Sequence, residues 1–215
     1  MKLHRNMKLV FQGDSITDAG RAQPIAEGLF DPMGRGYVHF CDALINARYP
    51  ELNIHVVNVG ISGNNSRDLV ARWQRDVLDL KPDWLSLMIG INDVWRQFDM
   101  PYAPMTHVYI DEFEANLKQL VGQTRQLVKG FTLMTPYVVE GMKNEPFRAT
   151  MDKYSAVVRK IAQRNDCVLV DTQAAYDEVL QHAHSQRFAW DRIHPNQIGA
   201  MVAARAWLKA MDFEF

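Results

Sequence analysis

The sequence predicts an α/β fold: a three-layer α/β/α sandwich on a five-stranded parallel sheet, spanning residues 1–215 as one domain. Short apolar runs rich in β-branched and aromatic residues alternate along the chain with longer amphipathic ones, the pattern of a parallel sheet covered by helices on both faces. The early strand candidates each end in a block of small or hydrogen-bonding residues, where an open α/β sheet places its ligands. The 215 residues suit a single sizeable core, and no Pro/Gly/Ser-rich linker or repeat divides them.

The elements follow in order. The first strand, Lys8 to Gln12, runs into Gly13-Asp14-Ser15. Phe40, Leu44, Ile45 and Tyr49 then recur at helical spacing. A second strand, Ile54 to Val59, leads to Gly60-Ile61-Ser62-Gly63-Asn64, and Leu69, Trp73 and Val77 mark the next helix. A third strand, Trp84 to Ile89, ends at Gly90-Ile91-Asn92-Asp93. The residues beyond it, Trp95, Arg96, Phe98, Met100, Pro101, Tyr102, Pro104, Met105 and Tyr109, show no clean period, so a long loop at the pocket rim is expected. A second loop, Ala19 to Tyr37, would close the other side. Phe113, Leu117, Leu120, Val121 and Leu127 mark a further helix. Strands at Gly130 to Thr135 and Cys167 to Asp171, and helices at Arg148 to Gln163, Thr172 to His182 and Asn196 to Met211, complete the chain.

Composition excludes several classes. Lys plus Arg number 24 against 25 Asp plus Glu, a net charge of −1, which gives no field to draw nucleic acid or an anionic membrane. A small neutral substrate fits that balance. The start, Met1 to Lys8, is basic but lacks the apolar stretch of a secretory signal, and no run of about 18 apolar residues occurs, so a cytoplasmic protein off the membrane is expected. Cys41 and Cys167 form no close pair, which suits a reducing compartment and two small buried hydrophobes. His182-Ala183-His184 has no accompanying Cys, Asp or Glu cluster, so neither a metal nor another cofactor is expected.

The chemistry is concentrated at the two ends of the chain. A serine at the exit of a buried strand is exposed and held still, but it needs a base to take its proton. Asp191-Arg192-Ile193-His194-Pro195 supplies one. Proline favours the first turn of a helix, which sets His194 at the mouth of the last helix. Asp191, in the same loop, is placed to fix the imidazole tautomer. Asp14 and Asp93 read as supporting carboxylates that bond backbone N–H groups of their turns. The Gly-x-Ser-x-Gly elbow of α/β-hydrolases is missing.

Taken in order, Gly13-Asp14-Ser15, the glycines after the second strand, Gly90-Ile91-Asn92-Asp93 and Asp191-x-x-His194 resemble the SGNH (GDSL-type) esterase and acylhydrolase superfamily over nearly the whole chain. Within it, Gly13 to Arg21, Ile91 to Gln97 and Trp190 to Pro195 look like the intracellular acetylxylan esterases, or xylo-oligosaccharide deacetylases. The resemblance implies a flavodoxin-like strand order. It also implies an oxyanion hole built from the backbone N–H of Ser15, the backbone N–H of Gly63 and the side-chain amide of Asn92, with Gly60 the competing glycine. The activity implied is removal of acetyl groups from the xylose units of short oligosaccharides, with Trp95, Arg96 and Trp190 as candidate substrate contacts. Two rivals stand beside it: a lysophospholipase, thioesterase or general short-chain carboxylesterase of the same superfamily, and a non-catalytic carbohydrate-binding or scaffold protein. Apolar Trp190, Phe213 and Phe215, expected at the surface, point to a homo-oligomer.

Overall fold

In the computed structural model, which describes residues 1–25 and 30–215, the apolar runs form one parallel sheet. Its strands are β1 (Lys8–Gly13), β2 (His55–Asn58), β3 (Trp84–Met88), β4 (Gly130–Met134) and β5 (Val168–Val170). They lie in the order β2-β1-β3-β4-β5, with every neighbouring pair parallel. The chain therefore steps from β1 to one edge, returns, and continues past β1 to the other. This is the flavodoxin-like order, and its switch point lies between β1 and β3. The central strands read as unbroken apolar runs because both faces are covered: Leu9, Val10 and Phe11, then Leu85, Leu87 and Met88, then Phe131, Leu133 and Met134 are all buried.

The helices are α1 (Ser15–Asp18), α2 (Tyr37–Arg48), α3 (Ser66–Trp73), α4 (Ile91–Asp99), α5 (Ile110–Thr124), α6 (Pro146–Arg164), α7 (Thr172–Val179) and α8 (Gln197–Ala210). On one face α8 packs between α2 and α7; on the other α5 packs between α3 and α6, with α4 against α6. Tryptophans anchor both layers. Trp207 of α8 lies 5.1 Å from the Phe11 ring and donates its indole N–H to Ser86 Oγ at 2.9 Å, while Trp73 of α3 donates to Thr124 Oγ1 at 2.8 Å. Each bond spares a buried donor the roughly 1–3 kcal/mol cost of going unpaired. Gly130 faces Trp84 across β3 and β4, and a Cβ there would lie 2.3 Å from the indole, so only glycine admits that ring.

The strands lie within about two residues of their expected bounds, and five local expectations need correcting. Of the loop expected from Trp95 to Tyr109, residues 95–99 are helix, the second half of α4. The helical spacing is present once the count starts at Ile91, since Ile91, Val94, Trp95 and Phe98 fall at i, i+3, i+4 and i+7: Ile91 and Val94 enter the core, Phe98 meets Phe147 of α6 at 5.2 Å, and Trp95 turns toward His194. Phe213 is buried, edge-on to Tyr49 at 5.5 Å, whereas Trp190 and Phe215 are exposed. Leu127 lies beyond the end of α5 and is exposed; α7 stops at Val179, before His182. Cys41 is buried but Cys167 only half so, and neither is paired with the other. Of the Ala19 to Tyr37 segment, residues 26–29 lie outside the described residues. Its two ends meet, with Arg35 N–H donating to Ala19 O at 2.9 Å.

Candidate active site

Three strand ends converge at the switch point. β1 stops at Gly13, where a Cβ would lie 2.3 Å from Thr17 Oγ1 and 2.5 Å from Met88 O, so the turn closes only with glycine. Asp14 then caps α1, its Oδ1 accepting Ile16 N–H at 3.0 Å. That cap presents Ser15 as the first helical residue. Its N–H is one of the unpaired donors of a helix start.

His194 and Asp191 come from the loop between α7 and α8. Ser15 Oγ lies 2.8 Å from His194 Nε2, and His194 Nδ1 lies 2.6 Å from Asp191 Oδ2. The other carboxylate oxygen, Oδ1, accepts the backbone N–H groups of Ile193 at 2.9 Å and His194 at 2.8 Å. Burial pushes the Asp191 carboxyl up, but these bonds to His194 and Ile193 outweigh it and hold the group below the usual carboxylate range. Arg192, between the two, adopts the left-handed conformation at φ 68°. Its carbonyl accepts Val139 N–H at 2.8 Å and its guanidinium meets Glu140 at 3.1 Å, which pins the turn from outside. Pro195 precedes the helix rather than opening it. Asn196 is the cap of α8, accepting Ile198 and Gly199 N–H, so His194 stands two residues outside the helix.

In the turn after β2, Gly63 has φ 84° and open space where a Cβ would stand. Among the described residues neither its N–H nor that of Ser15 has an acceptor. Gly60 is different: its N–H donates to Asn58 Oδ1 at 3.0 Å, and a Cβ would lie 2.4 Å from Asp18 N. It is committed to the turn. Asn92 is buried in the first turn of α4, with Nδ2 donating to Asn64 O at 2.8 Å and Oδ1 accepting from Arg96 at 3.3 Å. An acceptor on one side and a donor on the other orient the amide and leave its second N–H unengaged.

The three residues expected to contact substrate are distributed unequally. The Trp95 ring stands edge-on to the His194 imidazole, centroids 6.0 Å apart. Arg96 stacks over Trp95 at 4.4 Å and pairs with Asp99, so its charge is spent on the wall of the site. Trp190 adjoins Asp191 in sequence but is 83 % exposed. Of the two helix-end histidines, His184 accepts Gln186 N–H at 3.3 Å, capping the following turn. Sequence reasoning missed Asn64 and Arg72, which brace the Gly63 turn. A signal existed: Leu69, Arg72, Trp73 and Asp76 share one face of a helix, which puts an ion pair on its buried stripe.

Asp14 and Asp93 lie near Ser15, buried under the site. Asp93 takes Ser66 N–H on both oxygens at 3.1 Å and Ser66 Oγ at 2.5 Å, tying α4 to α3. Burial pushes both carboxyls up, Asp14 to about 7 and Asp93 to about 7. The native state thus keeps protons that the unfolded chain, with a value near 3.8, releases earlier. Stability from this source is present below 3.8 and is lost as pH rises through about 7. Asp14→Asn, whose Oδ1 keeps the Ile16 bond, is expected to gain roughly 2 kcal/mol on the wild type between pH 5 and pH 8. Urea unfolding at both pH values checks this. An equal difference at each would mean that Asp14 ionises without penalty.

A serine hydroxyl joined to an imidazole that a carboxylate holds, at the carboxyl edge of a doubly wound sheet, is the arrangement of a serine hydrolase. Residues 11–202 match the model of the GDSL-like lipase/acylhydrolase family, and the chain belongs to that family. It is 54 % identical over 215 residues to the acetylxylan esterase of Geobacillus stearothermophilus, covering 100 % of this chain and 98 % of that protein. The solved structure of that esterase, Axe2, superposes with a TM-score of 0.97 over 100 % of this chain and 98 % of that one. S15A, D191A and H194A forms of Axe2 have been solved as catalytic mutants. LAE5, a hydrolase from the Lake Arreo metagenome, is 50 % identical, with a TM-score of 0.95 over 99 % of this chain and 98 % of that one.

Proposed function

We propose that this chain, acting as one domain, is a serine esterase that removes acetyl groups from the xylose units of short xylo-oligosaccharides. What carries the proposal is full-length identity of 54 % to an acetylxylan esterase, joined to an assembled Ser15–His194–Asp191 relay. Ser15 Oγ attacks the acetyl carbonyl while His194 Nε2 takes the hydroxyl proton. Asp191 holds the imidazole and stabilises its charged form. The oxyanion meets Ser15 N–H, Gly63 N–H and the unengaged Asn92 N–H, donors aimed before charge develops. Gly63 rather than Gly60 fits that part, since the Gly60 N–H is already bonded to Asn58. The intermediate collapses, the sugar oxygen takes the proton from His194, and acetyl stays on Ser15. Water then repeats the sequence, with His194 as its base, and releases acetate.

Trp95 at the imidazole and exposed Trp190 beside Asp191 offer faces on which a sugar ring can stack. Arg96, stacked on Trp95 and bonded to Asn92, supports both residues at the site. No helix among the described residues is long and apolar enough to cross a membrane. The two unpaired cysteines fit a reducing compartment, the cytoplasm, and exposed Trp190 and Phe215 fit a homo-oligomer.

A site sized for a two-carbon acyl group rejects added methylenes, at about 10-fold or more per step in kcat/KM once room runs out. Esters of one alcohol from acetyl to octanoyl are therefore expected to fall steeply after acetyl. Mass spectrometry of acetylated xylo-oligosaccharides should register loss of acetyl groups with the glycosidic bonds whole. Rates that climb toward octanoyl, without acetyl release from the sugar, would move the substrate to the lipid or thioester class.

A further inference from the structure

Arg72 lies in the last turn of α3, where the helix opens into a π turn at Gln74–Leu78, and its side chain is only 10 % exposed. Such turns recur at functional sites. A guanidinium carries five N–H donors in a fixed plane, and here all five are taken. Nε donates to Asn64 Oδ1 at 2.7 Å. Nη1 donates to Val59 O at 3.1 Å and Asp76 Oδ2 at 2.5 Å, and Nη2 to Gln12 Oε1 at 2.8 Å and Gly13 O at 3.1 Å.

Asp76 is the one charged acceptor of the five, and it is shared with Arg75. The other four acceptors are neutral and come from three separate segments: the end of β1 two residues before Ser15, the residue just past β2, and the Gly63-Asn64 turn. Asn64 in turn holds Asn92, through its carbonyl oxygen. One rigid group therefore touches the segments that present Ser15 and Gly63, and reaches the third, which presents Asn92, through Asn64. We infer that Arg72 is a positioning residue that sets the spacing of the Ser15, Gly63 and Asn92 donors, an inference that rests on the oxyanion hole proposed above.

A lysine ammonium has three donors and no plane, so Arg72→Lys keeps the ion pair with Asp76 and loses the span. With donors displaced by up to about 1 Å, kcat should fall roughly 10- to 100-fold while KM changes less than about threefold. Rates are expressed per active site, counted by stoichiometric inhibition with a fluorophosphonate, so that loss of folded protein is not mistaken for loss of chemistry. Asn92→Ala should then cost less in the Arg72→Lys background than in the wild type, because the donor it removes is already misplaced. Asn64→Ala, in a half-buried turn, removes only the Nε partner and should lower kcat in the same sense by a smaller factor, which decides the matter if Arg72→Lys does not fold. Unchanged kcat per site in the folded variants, with only a lower Tm, would overturn the inference and leave Arg72 a structural ion pair. So would full additivity with Asn92→Ala. A wild-type protein inert toward activated acetyl esters would overturn this inference and the esterase function together, whereas an active wild type with insensitive variants removes this inference alone.

Discussion

Ser15→Ala is expected to lower turnover of an activated acetyl ester by roughly 10³-fold or more without changing the melting temperature appreciably. The side chain removed has His194 Nε2 as its hydrogen-bond partner, at 2.8 Å. The turn around it is held by other groups: Gly13 fits against Met88 O, and Asp14 caps α1 through Ile16 N–H. Loss of the hydroxyl therefore removes the attacking atom while leaving its platform intact. What remains is binding and the oxyanion donors acting on water. His194→Ala should cost a similar factor, because a serine whose proton cannot leave is nearly as inert as an alanine. The double variant should be scarcely worse than either single one, since each already breaks the same unit. More than a tenth of wild-type activity in purified Ser15→Ala would remove Ser15 as the nucleophile.

Much of the site was legible because its chemistry is local in sequence. Gly13-Asp14-Ser15 and Asp191-x-x-His194 are each short loops in which the cap, the hydroxyl, the carboxylate and the imidazole are fixed by near neighbours. Their meeting was legible only through the succession of strands, since a parallel sheet gathers the ends of β1, β2 and β3 at one edge. Features that depend on long-range packing were hidden. The helical spacing of Ile91, Val94, Trp95 and Phe98 is present in the sequence, but what the two rings pack against, His194 for Trp95 and Phe147 for Phe98, is not. Phe213 reads as surface until Tyr49 is found beneath it. Arg72 leaves one trace in the sequence, its place beside Asp76 on the buried stripe of its helix, but its other acceptors, backbone carbonyls and neutral amides, leave none. The bond that commits the Gly60 N–H to the Asn58 side chain is likewise visible only in the folded turn.

Asp191→Asn should be nearly as damaging as loss of the nucleophile, although it changes a single atom in an exposed loop. The wild-type carboxylate divides its work: Oδ1 accepts the N–H groups of Ile193 and His194, and Oδ2 accepts the Nδ1 proton of His194 at 2.6 Å. An amide has one acceptor oxygen. If that oxygen stays with the two backbone donors, the new NH₂ faces Nδ1, and the imidazole must carry its proton on Nε2, where it points at Ser15 instead of receiving from it. If the amide flips, the loop loses both backbone bonds and an N–H meets two N–H groups. Either outcome disables the base. A fall of roughly 10³- to 10⁴-fold in kcat is expected, with KM little altered. Activity should not recover as pH is raised from about 6 to 9, since the fault is the tautomer rather than the charge of a free imidazole. The same substitution at Asp14 is the internal control, because that carboxyl touches Ile16 N–H and no part of the imidazole. A profile for Asp191→Asn within tenfold of wild type would mean that another carboxylate orients His194, and the Asp191 turn would then be scaffolding alone.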